Sequence, residues 1–390
     1  MLSAFEESSA ACISDMLRFV SNGQYLDAVR MAEKFILHVE VLFATIDDLE
    51  VQFLSLNLKS EWINMSFLTC PSLSFSSIGL AHVREARLLC RKTVDLFTLL
   101  SRPQESSQRR PGITQELLAL VTGLAHYLKI LIRIALTGGL KLERDHGHRE
   151  AMEGFLDKLH LLVVEGGNPG AQRVIRGGEK TPGGHFGAQG TQGVSYGFKS
   201  LAPEYAGESP FGAANGSAQL TERLSIQPPT DQCVRCLTTV EEDCARYGTY
   251  HRWHSHCLQC SACGVASGPP LVKEQSTPTS VKAPGSASDD KEAPVAKVSM
   301  PRRPPANVDN FVCDVSNAKE SPYGPVPQAI YCLDHQRPGC QGGFQPASRL
   351  EQYAFLLNIA LRRLSYVLKK RGLLLPSQGE FKAAICQLPL

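Results

Sequence analysis

Apolar side chains recur at steps of three and four residues through the first part of the chain, which is the spacing of one face of an α-helix. The pattern predicts helical structure from Ser14 to about Leu58, interrupted at Asn22-Gly23, and a second long helix from His82 to Leu100. The residues expected to face a common core are Val29, Ala32, Ile36, Val39, Phe43 and Ile46, followed by Val83, Ala86, Cys90, Val94, Phe97 and Leu100.

A third helix is predicted over residues 114–137, and Gly138-Gly139 is expected to end it. It is apolar enough to suggest a membrane span, but His126, Lys129 and Arg133 form a polar stripe together with Thr122 and Thr137. Because charged residues in mid-span argue against a transmembrane segment, we expect this helix in the middle of a helical bundle.

A shorter helix is predicted over residues 149–164. His146 and His148 precede it and could ligate a metal, although such a pair is more typical of a solvated helix flank. Residues 59–78 follow no period and are dense in Phe, Leu, Ser and Pro, whose codons are rich in pyrimidines. We interpret this stretch as a translated intron, which sequencing of the mature RNA would refute if the codons are retained; an exposed loop is the alternative.

Composition divides the rest of the chain. Residues 166–229 and an internal stretch at about 267–305 are rich in Gly, Ser, Pro and Gln, so we expect disordered linkers, Arg302-Arg303 included. A C-terminal helix is expected over 346–375, because Ser348 and Glu351 have the spacing of a capping box and Gly372 is a plausible stop. The apolar face of this C-terminal helix should comprise Leu350, Tyr353, Ala354, Leu357, Leu361, Leu364 and Leu368. Residues 376–390 stay unassigned.

The spacing of cysteines and histidines carries the chemistry. Cys233 and Cys236 form a C-x2-C pair, and His254 and Cys257 follow at the same separation. Three cysteines and one histidine in this arrangement predict a tetrahedral zinc site. A second pair comes at once and is completed far downstream; its ligands are Cys260, Cys263, Cys332 and His335. The sequence therefore predicts two zinc ions, each held by four protein ligands.

Four protein ligands leave no open position for water, so both zinc ions should be structural. Ordinary buried cysteines or a disulfide framework are the alternatives. The thirteen cysteines show no pairing logic, and the start of the chain has no basic region followed by an apolar core, so we expect a reducing, cytoplasmic setting. A net charge of +2 and the lack of a basic recognition helix predict no binding to nucleic acid or to an anionic membrane.

The order of ligand types, with Trp253 just before the first histidine, resembles a LIM domain. In that family two zinc modules of short β-hairpins are packed in tandem. A RING domain would place a cysteine at His254, and GATA-type fingers use only four cysteines. The loop from Cys263 to Cys332 is longer than in a typical LIM domain, but this lengthening costs only about 1.2 kcal/mol in closure entropy, against about 10–16 kcal/mol for zinc binding.

A wider resemblance covers the helical stretches and the zinc ligands together, and it points to fungal LIM-domain Rho-GTPase-activating proteins. The stretches that carry it are FILHVEVLFATIDDLE (35–50), VREARLLCRKTVDLF (83–97), QELLALVTGLAHYLKILIRIALTG (115–138) and RLEQYAFLLNIALRRL (349–364). The resemblance implies LIM domains on both sides of the helical region, a closing catalytic RhoGAP domain, Rho-pathway partners and a cytoplasmic location at sites of polarised growth.

The family's arginine finger lies in its catalytic domain, which needs on the order of 100 residues or more. Few residues follow Gly372, so we expect no GTPase-activating activity from this chain. The expected fold is mainly α, a helical bundle over 1–165, with a zinc-bound LIM module of short β-hairpins over 230–345. Two functions stay open: a non-catalytic protein-interaction module in Rho signalling, or a fragment of a complete Rho-GTPase activator.

Overall fold

A computed structural model describes residues 2–64, 76–101, 111–164, 228–268, 307–316 and 318–373. Most of residues 166–229 and of the internal stretch at 267–305, the tail 376–390 and the centre of the aperiodic stretch 59–78 lie outside these residues. Within them the chain forms six α-helices and two small antiparallel sheets. The helices are α1 (Leu2–Ser21), α2 (Tyr25–Asn64), α3 (Ser76–Ser101), α4 (Pro111–His146), α5 (Ala151–Val164) and α6 (Arg349–Lys370).

The predicted break at Asn22-Gly23 is confirmed. Gly23 adopts a positive φ of 75°, a conformation that costs glycine little, and its N–H donates to the Val20 carbonyl at 3.0 Å. Gln24 N donates to Phe19 O at 2.8 Å, which completes the helix end. The chain therefore reverses between α1 and α2, and these two helices pack against each other.

Helix α2 lies at the centre of the bundle. From Phe35 to Val39 every side chain is buried, and α2 contacts α1, α4, α5 and α6. The apolar face predicted for this helix is buried throughout. In the second stripe Val94 was expected inside but is 40% exposed. At 100° per residue the inward position belongs to its neighbour Thr93, which is fully buried.

Two expectations for α4 were wrong. The helix does not end at Gly138-Gly139 but continues to His146, and it does not occupy the middle of the bundle. A Cβ on Gly139 would lie 3.0 Å from the Met152 side chain, so this glycine lets α5 approach closely. The actual helix end is at Gly147, whose φ is 69°.

The polar stripe of α4 faces outward, because Lys129 and Arg133 are exposed while Leu124, Leu128 and Leu131 are buried against the bundle. In the described part of the chain, the segment Ala119–His146 is long and apolar enough to cross a membrane by length and composition alone. Its buried face is the one that packs on α2, α3 and α5.

Helix α6 closes the bundle from the far end of the sequence by packing between α2 and α3. All seven residues predicted for its apolar face are buried. Ser348 caps it by accepting a hydrogen bond from Glu351 N at 3.0 Å, as the sequence predicts, and the Ser348 hydroxyl donates to Asp47 of α2. Gly372, with a φ of 71°, ends the helix as predicted, and its N–H donates to Lys369 O at 2.9 Å.

Two three-stranded antiparallel sheets lie between the helical segments. One has the order β2-β1-β6 and consists of β1 (Cys244–Tyr247), β2 (His251–His254) and β6 (Phe344–Ala347). The other has the order β4-β3-β5 and consists of β3 (Phe311–Asp314), β4 (Ile330–Cys332) and β5 (Cys340–Gln341). We call residues 228–268 and 307–347 together the Cys/His module.

The module has a core of its own, centred on Trp253. The Trp253 ring meets Phe344 edge to face at 5.5 Å, so β2 and β6 are held together beyond their pairing with β1. Leu258, Phe311 and Ile330 are buried in the same core. The two sheets therefore form one packed unit, although each carries a different set of ligands.

Candidate metal centres

The first pair of cysteines sits in a tight turn. Leu237 N donates to Cys233 O at 2.9 Å and Cys233 N donates to Thr238 O at 2.8 Å, so the backbone folds around the two thiols. Leu237 has a φ of 59°, in the left-handed region that β-carbon sterics disfavour. This turn aims the Cys233 and Cys236 sulfurs toward one point.

His254 and Cys257 complete the first set. His254 is the last residue of β2, and the turn after it returns Cys257 N to His254 O at 2.8 Å. The four ligand atoms of Cys233, Cys236, His254 and Cys257 all lie within 4.8 Å of one another. The structure thus brings these four sequence-predicted residues together.

The ring of His254 is oriented for metal binding through Nδ1. Its Nε2 lies 3.3 Å from Thr239 O, and because a carbonyl can only accept, Nε2 carries the proton. Nδ1 points toward the cysteine sulfurs, 3.4 Å from Cys236 Sγ, and a metal bound there would displace any proton it carries. An outer hydrogen bond that fixes the ring and its tautomer is typical of metal-ligating histidines.

The second set repeats this construction. Gly264 N donates to Cys260 O at 2.9 Å and Cys260 N to Val265 O at 2.9 Å. Gly264 has a φ of 74° and stands where the first turn has Leu237. The position after each C-x2-C pair is therefore left-handed, and glycine fills it in one turn only.

The remote half of the second set is supplied by the other sheet. Cys332 ends β4, and His335 ends the short 3-10 helix Leu333–His335. Cys263 Sγ lies 3.7 Å from Cys332 Sγ, and Cys332 Sγ lies 3.2 Å from His335 Nδ1. The ligand atoms of Cys260, Cys263, Cys332 and His335 all lie within 4.8 Å of one another, so the long loop does not prevent the predicted site from closing.

Electrostatics favour thiolates at both turns. Burial raises the pKa of Cys233, but the His254 ring and backbone N–H groups outweigh it and lower this pKa to about 6. The side-chain hydrogen bond between His254 and Cys233 in turn raises the pKa of His254 to about 9. At Cys260, backbone N–H donors likewise outweigh burial and lower the pKa to about 6. Each turn thus holds a thiolate that is ready to bind a cation.

The donor sets fit zinc. Sulfur and imidazole ligands, four to a site, match the structural sites in which zinc is tetrahedral and fully coordinated by protein. If zinc binds, its chemistry here is to cross-link the chain, because the protein fills all four positions.

The first half of the Cys/His module is attached to α6. Gln352 donates from Nε2 to Val240 O at 2.8 Å and accepts from Arg252 Nε at 3.1 Å. Arg246 and Glu351 form an ion pair at 3.0 Å, with side chains only 7% and 1% exposed. Further ion pairs to α6 are Asp243 with Arg349 and Asp231 with Arg363, and Glu241 pairs with Arg87 of α3.

Other candidates from the sequence stay apart from the ligand sets. His146 and His148 are exposed at the end of α4, as expected for a helix flank. Cys12 and Cys90 are buried thiols in the helical core, and burial raises the pKa of Cys12 to about 11. None of the described cysteines forms a disulfide.

Comparison with curated proteins identifies relatives of this chain. Over 262 residues the chain is 36% identical to Rho-type GTPase-activating protein 1 of Schizosaccharomyces pombe. The chain belongs to the fungal Rho-GTPase-activating protein family. Another member of the family, the Rho-GTPase-activating protein LRG1 of Saccharomyces cerevisiae, is 22% identical to it over 266 residues.

The alignments to these two family members cover 67% of this chain in each case, but only 17% and 20% of the relatives. The chain therefore spans about a fifth of the length of the curated Rho-GTPase-activating proteins it matches. No protein-family profile matches the chain. No solved structure matches it significantly.

The sequence did not reveal the residues that orient the ligands or join the module to the helices. Thr239 acts through its backbone carbonyl, which no side-chain pattern can show. Arg246 and Arg252 would be taken for exposed strand residues, yet both are buried. In the sequence, the one sign of their role was that two arginines flank an aromatic-rich hairpin. Their burial is explained only by the packing of α6 against that hairpin.

Proposed function

We propose that this chain is a zinc-binding LIM-domain protein that serves as a protein-interaction module in Rho GTPase signalling. The observation that carries the proposal is the pair of adjacent ligand sets, each with three cysteines and one histidine and each closed by the protein itself. Such sites stabilise small folds and leave the module surface for binding. Membership of the fungal Rho-GTPase-activating protein family supports a role in Rho signalling.

Exposed apolar side chains beside the ligands support a binding role for the module surface. Leu237 follows Cys236 and is 67% exposed, and Leu333 follows Cys332 and is 50% exposed. Val265, two residues after Cys263, is 57% exposed. Because the metal sites would hold these positions rigidly, they would present apolar contacts to a partner at little entropic cost.

We also propose that the 390-residue chain does not itself accelerate GTP hydrolysis. A GTPase activator that acts through an arginine finger presents that arginine to the transferred phosphate. Several arginines at the interface between the module and the helices are instead committed to carboxylates, among them Arg246, Arg349 and Arg363. This supports a positioning role for the described region, in the cytoplasm where Rho-family GTPases would be met.

A second candidate function is favoured by the coverage of the relatives. Because the aligned residues make up only 17% and 20% of two GTPase-activating proteins, these residues would serve as the part of a longer activator that positions its catalytic domain. An antibody against the helical region, followed by intact mass measurement, separates the two. A species near 42.6 kDa favours the stand-alone module, and a much heavier one favours the longer activator.

Metal content tests the zinc proposal directly. The purified chain should contain two zinc ions by native mass spectrometry, and Cys257→Ala should contain one, because its remaining three ligands hold zinc far more weakly. Cys12→Ala removes a buried cysteine far from both sets and is the matched control that should keep two. Unchanged zinc in Cys257→Ala would refute the assignment of the first site.

The proposed role is tested with Rho-family GTPases loaded with GTP. The zinc-loaded chain should leave the hydrolysis rate at its intrinsic value, while a complete activator from the same family serves as the positive control. Faster hydrolysis with this chain alone would contradict the non-catalytic proposal. If the chain binds the GTPase and the Leu237→Ser or Leu333→Ser variant binds it more weakly, the result would support a module that docks a partner.

A further inference from the structure

The two candidate metal sites differ in how they meet the helical bundle. The polar contacts to α6 described above come from residues 231–252, which surround the first ligand set. The second half of the module approaches the bundle at the turn of residues 321–324. There the Tyr323 ring packs on Tyr250 at 5.0 Å and Gly324 O accepts from the His251 ring at 3.1 Å, so these contacts reach the bundle through residues of the first half of the module.

A short path leads from the first site to α6. Arg252 and His254 lie two residues apart on β2, so their side chains share one face of the strand. Val234 N, inside the first cysteine turn, donates to Arg252 O at 2.9 Å. The cysteine turn and the histidine ligand therefore both fix the strand segment that carries Arg252.

Arg252 extends this path into the helix. Its guanidinium lies 4.1 Å from the centre of the Phe355 ring, and its Nε donates to Gln352 Oε1. Gln352 is fully buried, and it also accepts from Cys244 Sγ at 3.5 Å. If β2 moved away, the buried Gln352 Oε1 would lose its Arg252 donor and keep only the weaker thiol donor Cys244, which lies on β1.

We propose that metal binding at the first site is thermodynamically coupled to the docking of α6, so that this site acts as a metal-dependent latch on the helical bundle. The second site stabilises its own half of the module and is coupled weakly. The inference rests on the zinc binding proposed above. Loss of the first zinc releases the cysteine turn and β2, and α6 then loses Arg252, while loss of the second zinc leaves that contact in place.

Two matched variants of the 390-residue chain test the latch. Cys236 and Cys263 are each the second cysteine of a C-x2-C pair, and both are exposed, so Cys236→Ser and Cys263→Ser remove comparable ligands from the two sites. Each should lose one zinc by native mass spectrometry. Hydrogen exchange of the α6 amides from Leu350 to Leu368 should become at least about tenfold faster in Cys236→Ser and stay close to wild type in Cys263→Ser.

The reverse experiment keeps every ligand and so avoids variants that fail to fold. Coupling is reciprocal, so Gln352→Ala should weaken zinc binding at the first site by between about 5- and 150-fold in competition with a chromogenic chelator. The second zinc should be unaffected. Ser365→Ala, which removes another buried polar group from α6, is the control and should leave both affinities unchanged.

The outcomes separate the latch from the zinc proposal. A wild-type chain without zinc overturns the proposed function. If the wild-type chain holds two zinc ions, three results would overturn the latch alone. They are unchanged hydrogen exchange of α6 in Cys236→Ser, an equal rise of that exchange in Cys263→Ser, and an unaltered first-site zinc affinity in Gln352→Ala.

Discussion

The ion pair between Arg246 and Glu351 offers a sharp test of how the Cys/His module is attached to the helices. The Arg246 Nε and Glu351 Oε1 atoms lie 3.0 Å apart, and the side chains are 7% and 1% exposed. Arg246 also donates from Nη1 to Gly248 O at 3.2 Å. The perturbation is Glu351→Gln, which removes the negative charge, preserves the side-chain shape and leaves the backbone cap on Ser348 intact.

The expected cost follows from burial. Two unit charges 3 Å apart attract by about 5 kcal/mol at an effective dielectric constant of 20, and desolvation offsets much of this attraction in the intact pair. Removing one partner of a buried ion pair costs about 3–5 kcal/mol, because the remaining charge loses its nearest opposite charge while it stays buried. Because a domain is stable by only about 5–15 kcal/mol, Glu351→Gln should lose a large part of the free energy of unfolding.

Replacing both partners should cost far less. In the double variant Arg246→Met with Glu351→Gln neither member of this pair carries a charge, so the loss should be well below that of the single variant Glu351→Gln. The control pair is Asp231 and Arg363, where Arg363 is 46% exposed and Arg363→Gln should cost less than about 1 kcal/mol.

The assay is guanidinium-induced unfolding followed by circular dichroism, with excess zinc present so that metal loss is not measured instead. A loss below about 1 kcal/mol in Glu351→Gln, or a double variant as unstable as the sum of the two single variants, would refute the reasoning. Either result would mean that the pair is solvated in solution and does not join the two units.

Three further predictions concern single positions, each checked by the same unfolding assay. Leu237 is exposed with a φ of 59°, so Leu237→Gly should raise stability by about 0.5–1 kcal/mol; equal stability would show that this turn carries no strain. Gly138→Ala should also stabilise, by about 0.5–1 kcal/mol, because the new Cβ meets Phe53 at an ordinary 3.7 Å; destabilisation would mean that α4 does end there. Burial lowers the pKa of His38 from 6.5, so the native state binds fewer protons and stability should fall as pH drops below 6.5. His38→Gln should flatten that slope, and an unchanged slope would exclude His38 as its source.

The parts of the structure that could be predicted from sequence are those set by local spacing. The C-x2-C pairs bring two thiols together within one turn, whatever the rest of the chain does. Asn22-Gly23 and Gly372 end helices through their own backbone preferences. The apolar face of α6 follows from its period, and all of its predicted residues are buried.

The parts that could not be predicted depend on which side chains of other elements pack against a residue. Gly138-Gly139 looks like a helix end, but Phe53 and Met152 pack over these glycines, and the helix continues. Glu351 fits a capping box, and its backbone N–H does bond Ser348, yet its carboxylate forms a buried ion pair with an arginine of another element. Tertiary contacts of this kind leave no local trace in the sequence.

The order of elements along the chain has a consequence for biosynthesis. Helices α1 to α5 leave the ribosome first, while α6, which covers the groove between α2 and α3, is made only after the whole Cys/His module. At typical rates of synthesis the groove stays uncovered for on the order of tens of seconds. During that interval the nascent chain exposes apolar surface that other nascent chains or chaperones can bind, so its yield in the cell should depend on how quickly the module folds.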